Sequence, residues 1–83
     1  MPLSAKELWK RVLEGAKRDL PEPRIQTWLA PNDAVSFESG VLLVNTPDDF
    51  AKRWNEEKYA GVLARVATEA AGEDVKVEFR VAA

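Results

Sequence analysis

The sequence predicts an α/β domain of the segregated, α+β kind, with helices packed on one face of a small three-stranded mixed sheet in the order ααββαβ. Three observations carry this. Residues 4–20 repeat apolar side chains at helical spacing behind Ser4-Ala5-Lys6-Glu7, a capping-box sequence. Residues 34–46 hold two extended runs, AVSF and VLLVNT, joined by Glu38-Ser39-Gly40, a hairpin signal. Near the end, Val75, Val77, Phe79 and Val81 alternate with Lys76, Glu78 and Arg80, as in a strand covered on one face. At 83 residues, the chain is expected to form a single domain over residues 1–83.

Each element has its own warrant. The first helix runs from its Ser4 cap to about Leu20, because Pro21 disfavours helical geometry at the residue before it. Pro21-Glu22-Pro23 makes a hinge. RIQTWLA then forms a short second helix with Ile25, Trp28 and Leu29 at i, i+3 and i+4, closed by Pro31-Asn32-Asp33. Val41 to Val44 is continuously apolar, as expected of a central strand covered on both faces. The third helix is expected from Pro47 to about Ala71, with Thr46 as cap, Asp48 and Asp49 at the positive end of the dipole, and Gly72 as the stop. Gly61 inside it weakens the helix unless it bends it or admits a close neighbour.

Composition narrows the function. There are no cysteines and no histidines, so disulfides, thiolate zinc sites, thiol nucleophiles and imidazole bases are all missing. The acid pairs Asp48-Asp49, Glu56-Glu57 and Glu73-Asp74 diverge on a helix and read as caps and solvated faces. No phosphate-cradling glycine loop is present, nor the GxxG with which KH domains clamp a nucleotide backbone. The expectation is therefore a non-enzyme with no cofactor and no metal. Twelve Lys and Arg against fourteen Asp and Glu leave a net charge of −2, which gives no global pull on a polyphosphate. Lys6, Lys10 and Lys17 fall within about 40° on the first helix and offer one weak stripe for a phosphate backbone, although a solvated face is the commoner use of such a stripe. Helical pairs at i, i+4 are expected for Glu7–Arg11, Lys10–Glu14, Glu14–Arg18, Lys52–Glu56 and Arg53–Glu57. No apolar run approaches the roughly 20 residues that span a bilayer. The first ten residues lack the pattern of a secretion signal. A cytoplasmic protein without a membrane partner is expected.

The apolar faces exceed what one small core needs. On the first helix, Trp9, Leu13, Ala16 and Leu20 share an arc of about 60°, and Leu8 and Val12 widen it to about 140°. Either that helix is half sunk between the third helix and the sheet, or Leu8, Val12 and part of Trp9 stay exposed as an anchor for another copy or another protein. On the third helix, Tyr59, Val62, Leu63, Val66 and Ala70 cluster within about 100°, with Trp54 about 130° and Phe50 about 170° from their middle. Trp54 is expected to be buried under the first two helices. Phe50 is expected to be exposed beside Asp48 and Asp49, as an aromatic with a polar rim.

At these same residues the chain resembles a family. LW in the first helix, LP followed by IQTWLAP, the hairpin, and NTPDDFAKRWNEEKY look together like domain I of the bacterial replication initiator DnaA, over about Leu8 to Val81. The resemblance implies a KH-like fold and a non-catalytic assembly module that self-associates, helps load the replicative helicase at the origin, docks initiation regulators and binds single-stranded DNA weakly. It places self-association on Leu8, Trp9 and Val12, and helicase and regulator contacts on Arg24, Asp48 and Phe50. Some members carry an acid where this chain has Arg24, and often Asn in place of Asp48, so partner choice here is expected to follow a different charge pattern. The resemblance also implies that ATP and origin recognition belong to AAA+ and helix-turn-helix domains outside this chain, which reads as an excised domain. The alternative reading is a KH-like single-stranded nucleic-acid-binding module.

Overall fold

The structure, a computed structural model, describes residues 3–82, so both ends of the domain expected over residues 1–83 lie outside the described residues. The elements are helix α1 (Ala5–Ala16), a single helical turn α2 (Glu22–Arg24) that widens into a π-turn (Ile25–Leu29), strands β1 (Asp33–Glu38) and β2 (Val41–Thr46), helices α3 (Asp49–Lys58) and α4 (Ala60–Ala71), and strand β3 (Lys76–Val81). This is an α+β fold, in the expected order except that the long third helix is two.

The sheet runs β1-β2-β3, antiparallel between β1 and β2 and parallel between β2 and β3, so β2 is central. Ser39 and Gly40 both have positive φ, the two-residue primed turn that matches strand twist. A bulge at Val35 shifts the register between Ala34 and Ser36. It lets Ala34 pair with Val44 and Phe37 with Leu42, so that both lie on the covered face. Without it, the odd spacing of Ala34 and Phe37 would send one of them to solvent. The strand β2 alternates half-buried and buried positions. Leu42, Val44 and Thr46 face the helices, while Val41 and Leu43 share the other face with Lys76 and Glu78. The expectation that β2 is covered on both faces is thus corrected: helices occupy one side only, and the apolar run reflects strand packing rather than a second layer.

Helix α1 is seated against α4 and β1. Its Gly15 permits that seat, since a Cβ there would stand 2.5 Å from Val66 Cγ1. Ser4 accepts a bond from the Glu7 N–H at 3.1 Å, as the capping sequence requires. The helix ends at Ala16 rather than Leu20, and Lys17 to Leu20 continue as turns.

Helix α3 is capped by Asp48, whose carboxylate accepts from the Ala51 N–H at 2.8 Å. Thr46 is not the cap. It is buried, and its hydroxyl donates to the Arg80 carbonyl at 3.2 Å, tying β2 to β3. The break between α3 and α4 falls at Tyr59, with φ −121° and ψ −15°. Gly61 lies two residues later in the first turn of α4, with nothing near its Cβ position, so no close neighbour requires glycine there. Gly72 ends α4 in the left-handed conformation, φ 74°, where glycine carries no steric penalty.

The core is assembled from every layer: Leu8, Trp9, Val12 and Ala16 of α1, Ile25 and Leu29 of the π-turn, Leu42 and Val44 of β2, Leu63, Val66 and Ala67 of α4, and Phe79 of β3. Asn55, on the inner face of α3, is fully buried among them.

Candidate functional site

The three elements α2, the π-turn and α3 meet at one edge of the molecule and bring three aromatic rings together. Phe50 and Trp54 are one helical turn apart on α3, which places them on the same face. Trp28 comes from the π-turn. The Trp28 and Trp54 rings are 4.8 Å apart at 18°, Trp28 and Phe50 5.8 Å apart at 27°, and Phe50 and Trp54 6.1 Å apart at 12°. These are near-parallel stacked contacts, a favourable aromatic arrangement.

The π-turn explains why Trp28 is available. Its closing bond runs from the Ala30 N–H to the Ile25 carbonyl at 2.8 Å, an i to i+5 span wider than an α-turn. Widening the turn rotates position i+3 further from position i. Ile25 and Leu29 remain in the core, while Trp28 swings to the edge and is only half-buried. The i, i+3, i+4 pattern does not reveal this, because it assumes 3.6 residues per turn. The exposed aromatic content of the site was therefore legible at Phe50 but missed at Trp28; proline on both flanks of a seven-residue helix is the only sequence signal of an irregular turn there.

Phe50 is 66% exposed, as the helical phase predicts. Trp54 is half-buried rather than core, because the covering element on that side is Trp28 and not α1. Lys58 places its ammonium 5.5 Å from the centre of the Trp54 ring. Two shallow grooves share Trp54. One, of about 480 Å³, is lined by Phe50, Arg53, Trp54 and Glu57. The other, of about 410 Å³, is lined by Leu20, Arg24, Trp28, Trp54, Lys58 and Tyr59. Arg24 and Phe50 thus belong to one continuous surface through the tryptophans, and Asp48 stands beside it as the α3 cap.

The other expected sites fare differently. Leu8 and Val12 are 0% exposed and Trp9 is 5% exposed. Of the two alternatives, the structure takes the sunken helix and excludes the open anchor: α1 lies between α4 and β1, and its widest apolar arc is consumed by two neighbours at once. Lys6, Lys10 and Lys17 are all exposed. Lys17 lies at the end of α1 and pairs with Glu14 at 3.4 Å, while Lys10 shares a groove with Glu7, Arg11, Glu14 and Arg18. The stripe is interleaved with carboxylates and presents no concentrated positive field. Of the five expected i, i+4 pairs, Lys52–Glu56 forms at 3.3 Å, whereas Glu14 pairs with Lys17. Arg65 bridges Asp19 at 2.6 Å and Glu69 at 3.3 Å, and the Asp19 hydrogen bond and charge hold its guanidinium above its ordinary pKa.

Among the described residues no three potential metal-ligating side chains cluster, and no helix is long and apolar enough to cross a membrane.

Comparison with known proteins agrees with this layout. The family model described as "DnaA N-terminal domain" matches residues 6–69. The chain is 35% identical over 74 residues to the chromosomal replication initiator protein DnaA of Gloeobacter violaceus, covering 89% of this chain and 17% of that protein. It is 32% identical over 82 residues to the same-named protein of Trichormus variabilis and 30% identical over 82 residues to that of a Nostoc species, covering 99% of this chain and 18% of each. The chain therefore spans under a fifth of the length of these relatives.

Proposed function

This chain belongs to the DnaA N-terminal domain family, and from that premise we propose that it is a non-catalytic assembly domain of a bacterial replication initiator, docking the replicative helicase and initiation regulators through Phe50. One observation carries the reading. A phenylalanine two-thirds exposed, in a cluster of three mutually contacting rings, has no role in the core, and on α3 it lines one shallow groove and stands next to a second. A large, preorganised aromatic of this kind loses little entropy on binding and is the residue type that dominates interface energies. The same premise supports a role in replication initiation, with nucleotide binding and origin recognition assigned to other parts of a longer protein.

Self-association through Leu8, Trp9 and Val12 would require opening the core, since those side chains are sealed in it. The rival reading, a single-stranded nucleic-acid module resting on Lys6, Lys10 and Lys17, finds no support in a stripe interleaved with Glu7 and Glu14.

The test is binding of the purified replicative helicase from the same organism to wild-type and Phe50→Ala protein by calorimetry. Removing an interface anchor is expected to weaken binding at least about tenfold, with an unchanged circular dichroism spectrum. Equal affinity of the two proteins would remove Phe50 from the site.

A further inference from the structure

We propose that the groove lined by Leu20, Arg24, Trp28, Trp54, Lys58 and Tyr59 is a pocket for a carboxylate side chain, carried by an apolar peptide segment of a partner protein that crosses Trp54 to reach Phe50. The inference rests on the docking reading above and specifies the chemistry of the segment that docks.

The groove has an unusual lining. Four of its six residues supply apolar or aromatic wall, and the other two, Arg24 and Lys58, are both cationic; no carboxylate lines it. Neither cation has an acidic partner within 4.0 Å among the described residues, so both charges are free to meet an incoming carboxylate. Lys58 keeps its ammonium over the Trp54 ring, at the rim of the groove. A carboxylate entering here would receive charge-assisted hydrogen bonds from two exposed side chains. The aromatic walls would flank it on the apolar side, so the acid is specified together with an apolar neighbour. The neighbouring groove differs in the way a docking strip requires. It carries one cation, Arg53, and one anion, Glu57, around Phe50 and Trp54, so it is balanced in charge and suited to an apolar anchor.

A nucleic acid satisfies this surface poorly. Its charges recur at every nucleotide, and the strip beyond the pocket bears Glu57, with Asp48 and Asp49 next to Phe50 in sequence, on a domain of net charge −2. A peptide with one or two acids next to an apolar residue meets the cations and avoids the anions.

The experiment pans a phage-displayed random-peptide library against the wild-type domain and against the Arg24→Glu/Lys58→Glu double variant. Both side chains are exposed, so the variant folds, checked by circular dichroism. Wild type is expected to enrich Asp or Glu next to Leu, Phe or Trp, and the double variant to enrich Lys or Arg in its place. The best acidic peptide, synthesised and titrated by tryptophan fluorescence, is expected to bind the double variant at least about tenfold more weakly. Its Glu→Gln analogue should lose affinity for wild type but not for the double variant. Absence of enrichment, enrichment without acids, or the same preference in both proteins overturns the proposal. So does an oligothymidine that binds wild type more tightly than the peptide and loses that binding in the double variant. The two readings separate cleanly. If Phe50→Ala abolishes helicase binding while panning shows no acidic preference, the docking reading stands and the pocket falls. If Phe50→Ala leaves helicase binding intact while the acidic peptide still binds, the pocket stands and the placement of helicase docking on Phe50 falls.

Discussion

The inner face of α1 and the aromatic face of α3 are built from similar material and meet opposite ends. Each offers a tryptophan flanked by further large apolar side chains: Leu8, Trp9 and Val12 on α1, Phe50 and Trp54 on α3 with Trp28 opposite. On α1 all three are sealed, while on α3 Phe50 stands 66% exposed. Apolar content does not separate them. What separates them is the size of what lies across. Helix α1 faces a twelve-residue helix and a strand. The inner face of α3 packs on β3 and β2, but across its aromatic face stands the π-turn, five residues long, which is too small to cover two aromatics and instead contributes a third. A surplus apolar face becomes a docking surface where the fold provides no partner large enough to cover it.

The comparison is most sharply tested at Trp9. Trp9→Ala is expected to remove about 3–5 kcal/mol, a large part of the stability of a domain this size, and to lower the melting temperature by roughly 15 °C or more. Phe50→Ala, in contrast, should leave the melting temperature within a few degrees of wild type while weakening docking at least about tenfold. Thermal denaturation of the two variants side by side measures the contrast. If Trp9→Ala melts normally, α1 is not the sealed face described above.

The next effect in size lies at the α1–α4 contact. Gly15→Ala drives a Cβ to within 2.5 Å of Val66 Cγ1. Overpacking of this kind costs about 1–3 kcal/mol, partly offset by the better helix propensity of alanine. Adding Val66→Ala should recover part of the loss that Gly15→Ala causes on its own, so that the two substitutions are non-additive in chemical denaturation. Strict additivity would place the close approach elsewhere.

The smallest of these effects concerns the helix that carries the site. Asp48→Ala removes the bond to the Ala51 N–H and should cost about 1 kcal/mol. Because Asp48 lies beside Phe50, its loss should also fray the turn that presents the ring. Asp48→Asn retains the capping oxygen and should restore both stability and docking. If Asp48→Asn docks as poorly as Asp48→Ala, the charge of Asp48 meets the partner directly and capping is not its main role.

Local chemistry was readable along most of the chain. The Ser4 cap, the Ser39-Gly40 turn, the Gly72 stop and the alternation of β3 are set by interactions within a few residues, and each stands where the sequence places it. The outward direction of Phe50 was readable too, from helical phase relative to the α4 face. That inference held although the phase was counted across a break at Tyr59, because Phe50 pointed so far from the core that a local re-aiming did not bring it back. Trp54, nearer the boundary, was not safe from the same error. The bulge at Val35, the diversion of the Thr46 hydroxyl to the Arg80 carbonyl, and the burial of Asn55 left no local signature. Each is decided by what another strand or helix requires at that point.

By itself the sequence determined the order of elements, the single core they can fill, the absence of histidine and cysteine chemistry, and the presence of more large apolar side chains than that core must hold. Only the tertiary structure decided which of those side chains are the surplus. Periodicity fixes the direction of a side chain relative to its own helix axis. Burial depends on how much matter stands in that direction, and that is a property of the neighbours: α4 and β1 over Trp9, a single π-turn before Phe50.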